Sequence, residues 1–504
     1  MPGLSRRGFG HTVAGAGVSG ALGAQKKLPN IVFICSDQHN AKLMGASGHQ
    51  LARTPNLDRL ASRGVTFANA YCGNPVCVPA RASMMTGMFP SDAGSYCNST
   101  PFDGRVPTWA NLLRDQGYYC WATGKLDFSE GKDYGFVESR TDHLHSSAPD
   151  VTSLFRRPLC YRVDKLNQFK GEFRVRTRGD EQLVQDTLKF FRQELPRVRQ
   201  PWAVYIGLIN PHPPFVAHEK YRSLTAARDI PLPNIPSGHL NTMHVAFRLM
   251  RNFYLTPNAI PDEDIRSARA AYLALVKELD DSIGLLLDEI DLDNTLVVYT
   301  SDHGEMMGEH GLWFKNVLLE DSVRVPLIMA GAGLPQGKRL DTPVTHADLA
   351  ATLIDIAGMS RPARMRGRSL LPMARGPAGD HPGYAYSESH SEGNCTGSFM
   401  IRRGEWKYVY FSWHDNLLFN LKDDPGELNN LWGKREFAAL EAELHGILTS
   451  LVRPDEVTER AFEEQERILR SLLATEDSSK MYQAMASRMG AGQARTLLRK
   501  YRKN

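Results

Sequence analysis

The sequence predicts an α/β fold with a mostly parallel central sheet flanked by helices, followed by a smaller C-terminal α+β domain. Short continuous apolar runs, typical of strands buried on both faces, alternate along the first part of the chain with segments of helical periodicity. The Pro- and Gly-rich stretch from Gly376 to Gly383 separates this pattern from a region of short strands and turns. We therefore expect a large domain at 25–375 and a C-terminal domain at 376–504.

The predicted strands are short apolar runs. The first, Ile31–Cys35, ends at the polar residues Ser36, Asp37 and Gln38. The others are Val65–Tyr71, Tyr118–Ala122, Ala203–Leu208, Leu296–Thr300 and Val325–Met329. Their length of five to seven residues fits buried strands better than helices.

The predicted helices have apolar residues at three- and four-residue spacing. Pro55 lies in the first turn of a helix over Thr54–Ala61, and Thr345 is a suitable cap for one over Ala347–Ala357. Helical spacing also covers Leu183–Leu195 and, more strongly, Ile265–Ile290.

The region beyond Gly383 contains two short strand-like segments and a helix-prone tail. The segments Lys407–Tyr410 and Leu417–Leu421 precede a turn at Asp424-Pro425-Gly426, which predicts a small sheet. From Glu436 to Asn504 the chain is charged and ends in basic residues, so we expect a helical tail with a solvated face.

The composition is that of an ordinary globular protein. Of 504 residues, 42% are hydrophobic and 23% charged, and the net charge is +4. These values do not indicate a nucleic-acid or membrane-surface partner, and no apolar run is long enough to span a bilayer. The seven cysteines form no C-x-x-C pair and no zinc-binding spacing, and they leave the disulfide state open.

The first 24 residues have the features of an export signal. Ser5-Arg6-Arg7-Gly8-Phe9 resembles a bacterial twin-arginine motif, and a weakly apolar Gly/Ala-rich stretch follows to about Ala24. We expect residues 1–24 to engage the twin-arginine export machinery and to be removed, which predicts a periplasmic or extracellular protein.

Polar side chains follow several of the predicted strands. Asp37 follows the first strand, His212 follows Ala203–Leu208, and Asp302 and His303 follow Leu296–Thr300. Because ligands of open α/β sheets bind beyond the carboxyl ends of the strands, we expect these residues to share one site.

The segment Cys77–Gly87, C-V-P-A-R-A-S-M-M-T-G, is the most informative motif of the chain. It matches the pattern C-x-P-x-R-x-x-x-x-T-G, and the chain thereby resembles the formylglycine-dependent (type I) sulfatases of the alkaline phosphatase superfamily. The resemblance implies an alkaline-phosphatase-like domain and oxidation of Cys77 to formylglycine by a formylglycine-generating enzyme. It also implies that the hydrated aldehyde attacks the sulfur of a sulfate ester. The alternative is a buried cysteine at the start of a helix that Pro79 opens.

The same resemblance implies roles for residues in other motifs. One divalent metal, normally Ca²⁺, would be bound by Asp37, Gln38, Asp302, His303 and the formylglycine from Cys77. Arg81 would hold the formylglycine hydrate and the sulfate. Lys125 in the segment G-Y-Y-C-W-A-T-G-K, Lys315 in L-W-F-K-N and His212 in N-P-H-P match further sulfate-contacting residues, and His212 or Lys315 would assist the leaving oxygen.

The chain departs from the family pattern at two positions. Gln38 stands where the family often has a second carboxylate, although its carbonyl oxygen is still a suitable calcium ligand. Asp127 and Phe128 stand two and three residues after Lys125, where the family often has a histidine that assists release of the sulfate from the formylglycine. Asp127 or a histidine from the His143–His145 segment is expected to take the role of that histidine.

Within the family, the chain most resembles sulfatases that remove the 2-O-sulfate of glucuronate in glycosaminoglycans. The shared segments are Gly124–Phe128, Tyr205–Pro213 and Ser387–His390. His390 is expected to contact the sugar, with a domain-interface histidine as the alternative.

Three arginines, Arg176, Arg178 and Arg402, are candidates for contacting the uronate carboxylate. Other substrates remain open: choline sulfate, iduronate 2-sulfate, and a phosphonate or phosphate ester. A catalytically inactive carbohydrate-binding relative is a further alternative, although the intact set of predicted site residues argues against it.

Overall fold

A computed structural model of the chain describes residues 28–140, 151–156, 159–166, 168–175, 180–224, 229–257, 259–376, 379–475 and 478–502. The predicted signal segment 1–24, the histidines of the His143–His145 segment, Arg176 and Arg178 lie outside the described residues. Within the described ranges, no helix combines the length and the hydropathy needed to cross a membrane.

The fold is α/β, as predicted, and the described residues form four sheets. The strands are β1 (Asn30–Asp37), β2 (Gly64–Phe67), β3 (Ala70–Tyr71), β4 (Tyr119–Gly124), β5 (Glu138–Arg140), β6 (Glu172–Arg174), β7 (Trp202–Pro211), β8 (Val216–His218), β9 (Thr295–Ser301), β10 (Arg324–Val325), β11 (Leu327–Ala330), β12 (Lys338–Leu340), β13 (Val344–Thr345), β14 (Tyr384–Ser389), β15 (Ser398–Arg403), β16 (Trp406–Phe411) and β17 (Leu417–Asn420).

Helices cover the central sheet and form the C-terminal tail. They are α1 (Pro55–Ser62), α2 (Cys77–Thr86), α3 (Trp109–Asp115), α4 (Glu181–Gln193), α5 (His239–Thr242), α6 (Val245–Phe253), α7 (Asp262–Leu287), α8 (Glu320–Val323), α9 (Ala347–Ile356), α10 (Leu371–Arg375), α11 (Ala438–Leu451), α12 (Pro454–Thr475), α13 (Ser478–Met489) and α14 (Ala491–Arg502).

The central sheet has eight strands in the order β12-β2-β11-β9-β1-β7-β4-β5. Strand β1 lies in the middle and pairs in parallel with both β7 and β9, and β4 pairs in parallel with β7. The carboxyl ends of these four strands therefore meet along one edge of the sheet, where β1 ends at Asp37 and β9 ends beside Asp302.

Apolar side chains fill both faces of this sheet because its strands are buried on both sides. On one face, residues such as Val32 and Ile206 pack against Leu60 of α1, Leu188 of α4 and Ile283 of α7. On the other face, the core includes α2, α3 and α9, and all ten residues of α2 are buried. Helix α2, which begins at Cys77, is thereby held rigidly against the sheet.

Two of the predicted strands are interrupted in the structure. The run Val65–Tyr71 forms β2 and β3 in different sheets, and Val325–Met329 is divided between β10 and β11. Pro326 lies between β10 and β11, where its missing N–H would break a continuous ladder. Strand β11 also pairs antiparallel with β2 and β9, so the central sheet is mixed at this point.

The C-terminal region contains an antiparallel sheet of β14, β15, β16 and β17. Helix α11 packs on it through the buried residues Leu444 and Leu448. The helices that follow combine an exposed face with a buried one, and Leu469, Met485 and Leu497 belong to the same core as the central sheet.

Candidate active site

Two adjacent strand ends supply four of the predicted metal ligands. Asp37 is the last residue of β1, and Gln38 follows it with a left-handed backbone (φ 68°). Asp302 and His303 follow β9 directly, and all four side chains are buried. Asp302 Oδ1 accepts hydrogen bonds from the backbone N–H groups of Gln38, at 3.0 Å, and His303, at 2.9 Å, so the two strand ends are bound to each other.

Cys77 faces this group from the first turn of α2. Its Sγ lies 3.2 Å from His303 Nε2 and 3.7 Å from Asp37 Oδ1, and Lys315 Nζ donates to it at 2.9 Å. Burial, together with the charge of Asp37, raises the pKa of the thiol to about 12. The unmodified side chain is therefore a protonated thiol in this structure.

The residues present fit a divalent cation. One potential ligand atom from each of Asp37, Cys77, Asp302 and His303 lies within 4.8 Å of the others. Burial lowers the pKa of His303 to about 4, and its Nδ1 lies 3.0 Å from the carbonyl oxygen of Gly304. The ring is thus neutral, donates from Nδ1 and keeps a lone pair on Nε2, as a metal-ligating histidine requires.

Gln38 supports the same assignment. Its Nε2 donates to Glu305 Oε2, which fixes the orientation of the amide. Its Oε1 is buried and accepts no hydrogen bond from any residue that the structure describes. A buried carbonyl oxygen without a donor is costly unless a ligand such as a hard cation binds it.

Three cations, Arg81, Lys125 and Lys315, surround the carboxylates of Asp37 and Asp302. Arg81, in the second turn of α2, contacts Asp302 Oδ2 at 2.9 Å and donates from Nη1 to Tyr205 Oη at 2.8 Å. Lys125, which follows β4, pairs with Asp37 and lies 3.1 Å from Asp127 Oδ2. Although burial alone would raise the pKa of Asp37, the nearby cations hold it well below its usual value.

Three cations and three carboxylates face one another in this cluster before any ligand binds. Arg81, Lys125 and Lys315 face Asp37, Asp127 and Asp302, while Glu305 lies behind Gln38 with a pKa that burial raises. A bound divalent cation would therefore give the site a positive potential toward an anionic ester.

His212 follows the end of β7 and lines the pocket above Cys77. Its Nδ1 lies 2.6 Å from the carbonyl oxygen of Pro213, to which it donates. Burial holds the pKa of His212 well below its usual value, so the ring is neutral near pH 7. This arrangement leaves Nε2 with a free lone pair in the predicted leaving-group region.

The pocket over these groups has a volume of about 320 Å³ and opens among further basic residues. Its wall includes Arg162, Lys165 and Arg488, which belong to none of the predicted motifs. Arg162 pairs with Asp164 at 2.7 Å, and Lys165 Nζ lies 5.1 Å from the ring centroid of Phe314. The remaining lining residues are Gln38, Cys77, Asn98, Lys125, His212, Pro213, Tyr254, Phe314, Lys315 and Glu392.

Three residues that were predicted to contact the substrate do not line this pocket. His390 is fully buried and does not line the pocket, and its Nε2 lies 3.5 Å from Glu388 Oε2; the sugar contact stays a prediction, with a domain-interface role as its alternative. Arg402 is buried and donates to Tyr71 Oη at 2.9 Å, also outside the pocket. Asp127 is buried beside Lys125 and Arg81, where it orients cations rather than lining the pocket wall.

The chain matches known proteins along most of its length. The sulfatase family profile matches residues 29–359, and the profile of the C-terminal part of N-sulphoglucosamine sulphohydrolase matches residues 308–453. A choline-sulfatase of Rhizobium meliloti is 35% identical over 426 residues, covering 80% of this chain and 82% of that protein. Arylsulfatase K of Homo sapiens is 30% identical over 453 residues, covering 84% of this chain and 82% of that protein.

Solved structures share the fold. The phosphonate monoester hydrolase of Silicibacter pomeroyi superposes with a TM-score of 0.70 at 28% identity, covering 84% of this chain and 94% of that one. A 2-O GAG sulfatase superposes with a TM-score of 0.65 at 25% identity, covering 84% and 92%. The predicted α/β fold is confirmed by these neighbours, and the chain belongs to the sulfatase family of sulfuric ester hydrolases.

Proposed function

We propose that the protein removes the 2-O-sulfate of a uronic acid in a sulfated glycan, with formylglycine made from Cys77 as the nucleophile. The main support for this substrate class is the basic wall of the pocket. Lys165 and Arg488 add positive charge beyond the cations around Cys77, whereas Arg162 is already paired with Asp164. A sulfated uronate has a carboxylate beside its sulfate, and such a second anion suits a second group of cations.

The proposed metal site consists of Asp37, Gln38, Asp302, His303 and modified residue 77, with Ca²⁺ as the preferred ion because most of the ligands are oxygens. The ion would supply positive charge that polarises the sulfate ester. Arg81, which is buried, and Lys125, which is partly buried, would hold the carboxylates and the sulfate oxygens in fixed positions, since they are bonded to Asp302 and Asp37.

His212 and Lys315 are proposed to act on the oxygens of the reacting group. Lys315 Nζ lies 2.9 Å from Cys77 Sγ and 3.1 Å from His303 Nε2, so it is in reach of the nucleophile's position. His212 lines the same pocket; its Nε2, unprotonated before substrate binds, would take up a proton beside the sulfate anion and donate it to the leaving oxygen.

Choline sulfate is the second candidate, because the choline-sulfatase relative is 35% identical and the rings of Tyr254 and Phe314 line the pocket. Such rings can bind a trimethylammonium group. The ammonium of Lys165 already lies 5.1 Å from the Phe314 ring, however, and it would repel choline while attracting a carboxylate. We therefore favour the uronate.

A panel of esters tests the substrate. The purified holoenzyme is assayed with a 2-sulfated glucuronide, its carboxyl-reduced analogue, choline sulfate and a phosphonate monoester. We expect the highest kcat/KM for the glucuronide. The variant Lys165→Ala should lower that value by about tenfold, the worth of one charge-assisted hydrogen bond, and leave the carboxyl-reduced analogue within about twofold.

The exposed Lys170 provides a matched control, because Lys170→Ala removes the same charge outside the pocket. A higher kcat/KM for choline sulfate or for the phosphonate would overturn the uronate proposal in favour of that substrate.

We also propose export through the twin-arginine route, supported by Arg6 and Arg7 and by the small residues that follow them. Replacing both arginines by lysine should retain the enzyme in the cytoplasmic fraction of its host. Unchanged periplasmic activity in the variant would contradict this route.

A further inference from the structure

The helices α12, α13 and α14 are integral to the catalytic part of the molecule. The side chains of Leu469, Met481, Met485 and Met489 are at most 4% exposed and belong to the core that also contains the central sheet. A tail that buries this much apolar surface is fixed in position rather than loosely attached. These helices lie beyond residue 453, the last residue that either family profile matches.

The helices pack directly on residues 151–156 and 159–166, a segment that contributes Arg162 and Lys165 to the pocket. Gln493 Oε1 accepts a hydrogen bond from the backbone N–H of Tyr161 at 3.0 Å. The rings of Phe155 and Tyr501 meet edge to face, with centroids 5.8 Å apart. Because Arg162 and Lys165 belong to this segment, their positions depend on contacts that the tail provides.

The tail also contributes a cation of its own. Arg488 lies in the last turn of α13 and lines the same pocket as Cys77 and Lys165. Gly490 follows with φ 84°, a left-handed conformation that ends the helix two residues beyond Arg488. A Cβ on Gly490 would lie 3.7 Å from Val163, so this helix end rests against the segment that carries Arg162 and Lys165.

We propose that α12–α14 form a substrate-recognition element in which Arg488 binds the carboxylate of the substrate. This inference rests on the proposed function of the pocket and names a specificity-determining residue for it. Arg488 approaches from a different element than the residues around Cys77, so it can select the substrate without taking part in the cleavage of the ester. The planar guanidinium suits a carboxylate, which it can bind through two parallel hydrogen bonds.

The test compares Arg488→Gln and Arg488→Lys with Arg495→Gln, a variant of an exposed arginine on α14 that does not line the pocket. Each holoenzyme is assayed with the 2-sulfated glucuronide and with its carboxyl-reduced analogue. For Arg488→Gln we expect a loss of about 10- to 100-fold in kcat/KM for the glucuronide, mainly through KM, and a change within about twofold for the analogue. Arg488→Lys should recover part of the loss, and Arg495→Gln should match the wild type.

Thermal unfolding of each variant shows whether the fold is retained. Equal losses on both substrates, or no loss on either, would overturn the role of Arg488. A wild-type enzyme that prefers choline sulfate would instead refute the proposed uronate substrate. In that case Arg488→Gln, which removes a positive charge from the pocket, should turn over choline sulfate faster than the wild type, whereas Arg495→Gln should not. Unchanged turnover of choline sulfate in Arg488→Gln would also overturn the role of α12–α14 in substrate recognition.

Discussion

Gln38 donates a hydrogen bond from Nε2 to Glu305 Oε2, and this contact leaves Gln38 Oε1 as a buried acceptor within the ligand group of Asp37 and Asp302. Glu305 is itself fixed, because its Oε1 accepts the backbone N–H groups of Met307 at 3.0 Å and Phe314 at 2.7 Å. A neutral residue can thereby present an oriented oxygen at a position where the family often has a carboxylate. Glu305 determines which end of the Gln38 amide faces the metal site.

The first prediction follows from this contact. Glu305→Ala removes the acceptor for Gln38 Nε2, so the amide is free to turn its nitrogen toward the ion. We expect Ca²⁺ affinity to fall by about 10- to 100-fold, as for other residues that orient metal ligands. Titration calorimetry of the metal-free protein with Ca²⁺ measures this directly.

Glu405→Ala, at an exposed glutamate, is the control for that experiment. Glu305→Gln keeps an acceptor oxygen and should bind Ca²⁺ with intermediate affinity. Wild-type affinity in Glu305→Ala would show that Gln38 is not oriented by this carboxylate.

The second prediction concerns His212. If it assists the leaving oxygen, His212→Ala should lower kcat by about 10²-fold or more for a sugar sulfate. The loss should be much smaller for 4-nitrophenyl sulfate, whose leaving group needs no proton. Steady-state kinetics with both esters makes the comparison.

The partly buried His218 at the end of β8 does not line the pocket, so His218→Ala provides the control for His212. Equal losses of kcat on both esters in His212→Ala would contradict a proton-donating role.

The third prediction concerns a buried ion pair between the C-terminal sheet and the catalytic region. Lys407 on β16 donates to Glu320 Oε1 at 3.0 Å, and both side chains are buried. Burial alone would raise the pKa of Glu320, but Lys407, Arg324 and Arg402 lower it from 4.5 to about 2. A carboxylate with a lowered pKa stabilises the folded state fully above its unfolded pKa and loses that contribution as the pH falls toward the folded value.

Glu320→Gln should therefore reduce the free energy of unfolding by up to about 3 kcal/mol at pH 7, and the difference from wild type should shrink between about pH 4.5 and pH 2. Urea unfolding at several pH values measures both quantities. A difference that stays constant down to pH 3 would contradict the pairing. Glu405→Gln again serves as the exposed control.

The sequence predicted the elements whose pattern is local. The continuous apolar runs correctly predicted β1, β4, β7 and β9. Asp37 ends β1, and Asp302 directly follows β9. It did not predict that Pro326 divides one run, or that β11 would pair antiparallel with β9, because strand direction is decided by tertiary packing.

The pocket wall was harder to predict than the reacting centre. Cys77 and its partners belong to motifs, whereas Lys165 and Arg488 lie in segments without a motif. The packing of α13 on the chain near Val163 brings these two residues to one pocket. Glu305 had a local signal, since it ends the segment S-D-H-G-E that contains two predicted ligands. His390 sits in a matching segment, yet it is buried and does not line the pocket, because a motif does not determine how domains pack.

The most direct test of the account is the mass of the tryptic peptide 64–81, which contains Cys72 and Cys77, from protein made in its natural host. Conversion of Cys77 to formylglycine lowers the peptide mass by about 18 Da, and fragmentation assigns the change to residue 77 while Cys72 stays a thiol. We expect this shift in the active enzyme. An active enzyme in which Cys77 remains an unmodified thiol would contradict the formylglycine mechanism.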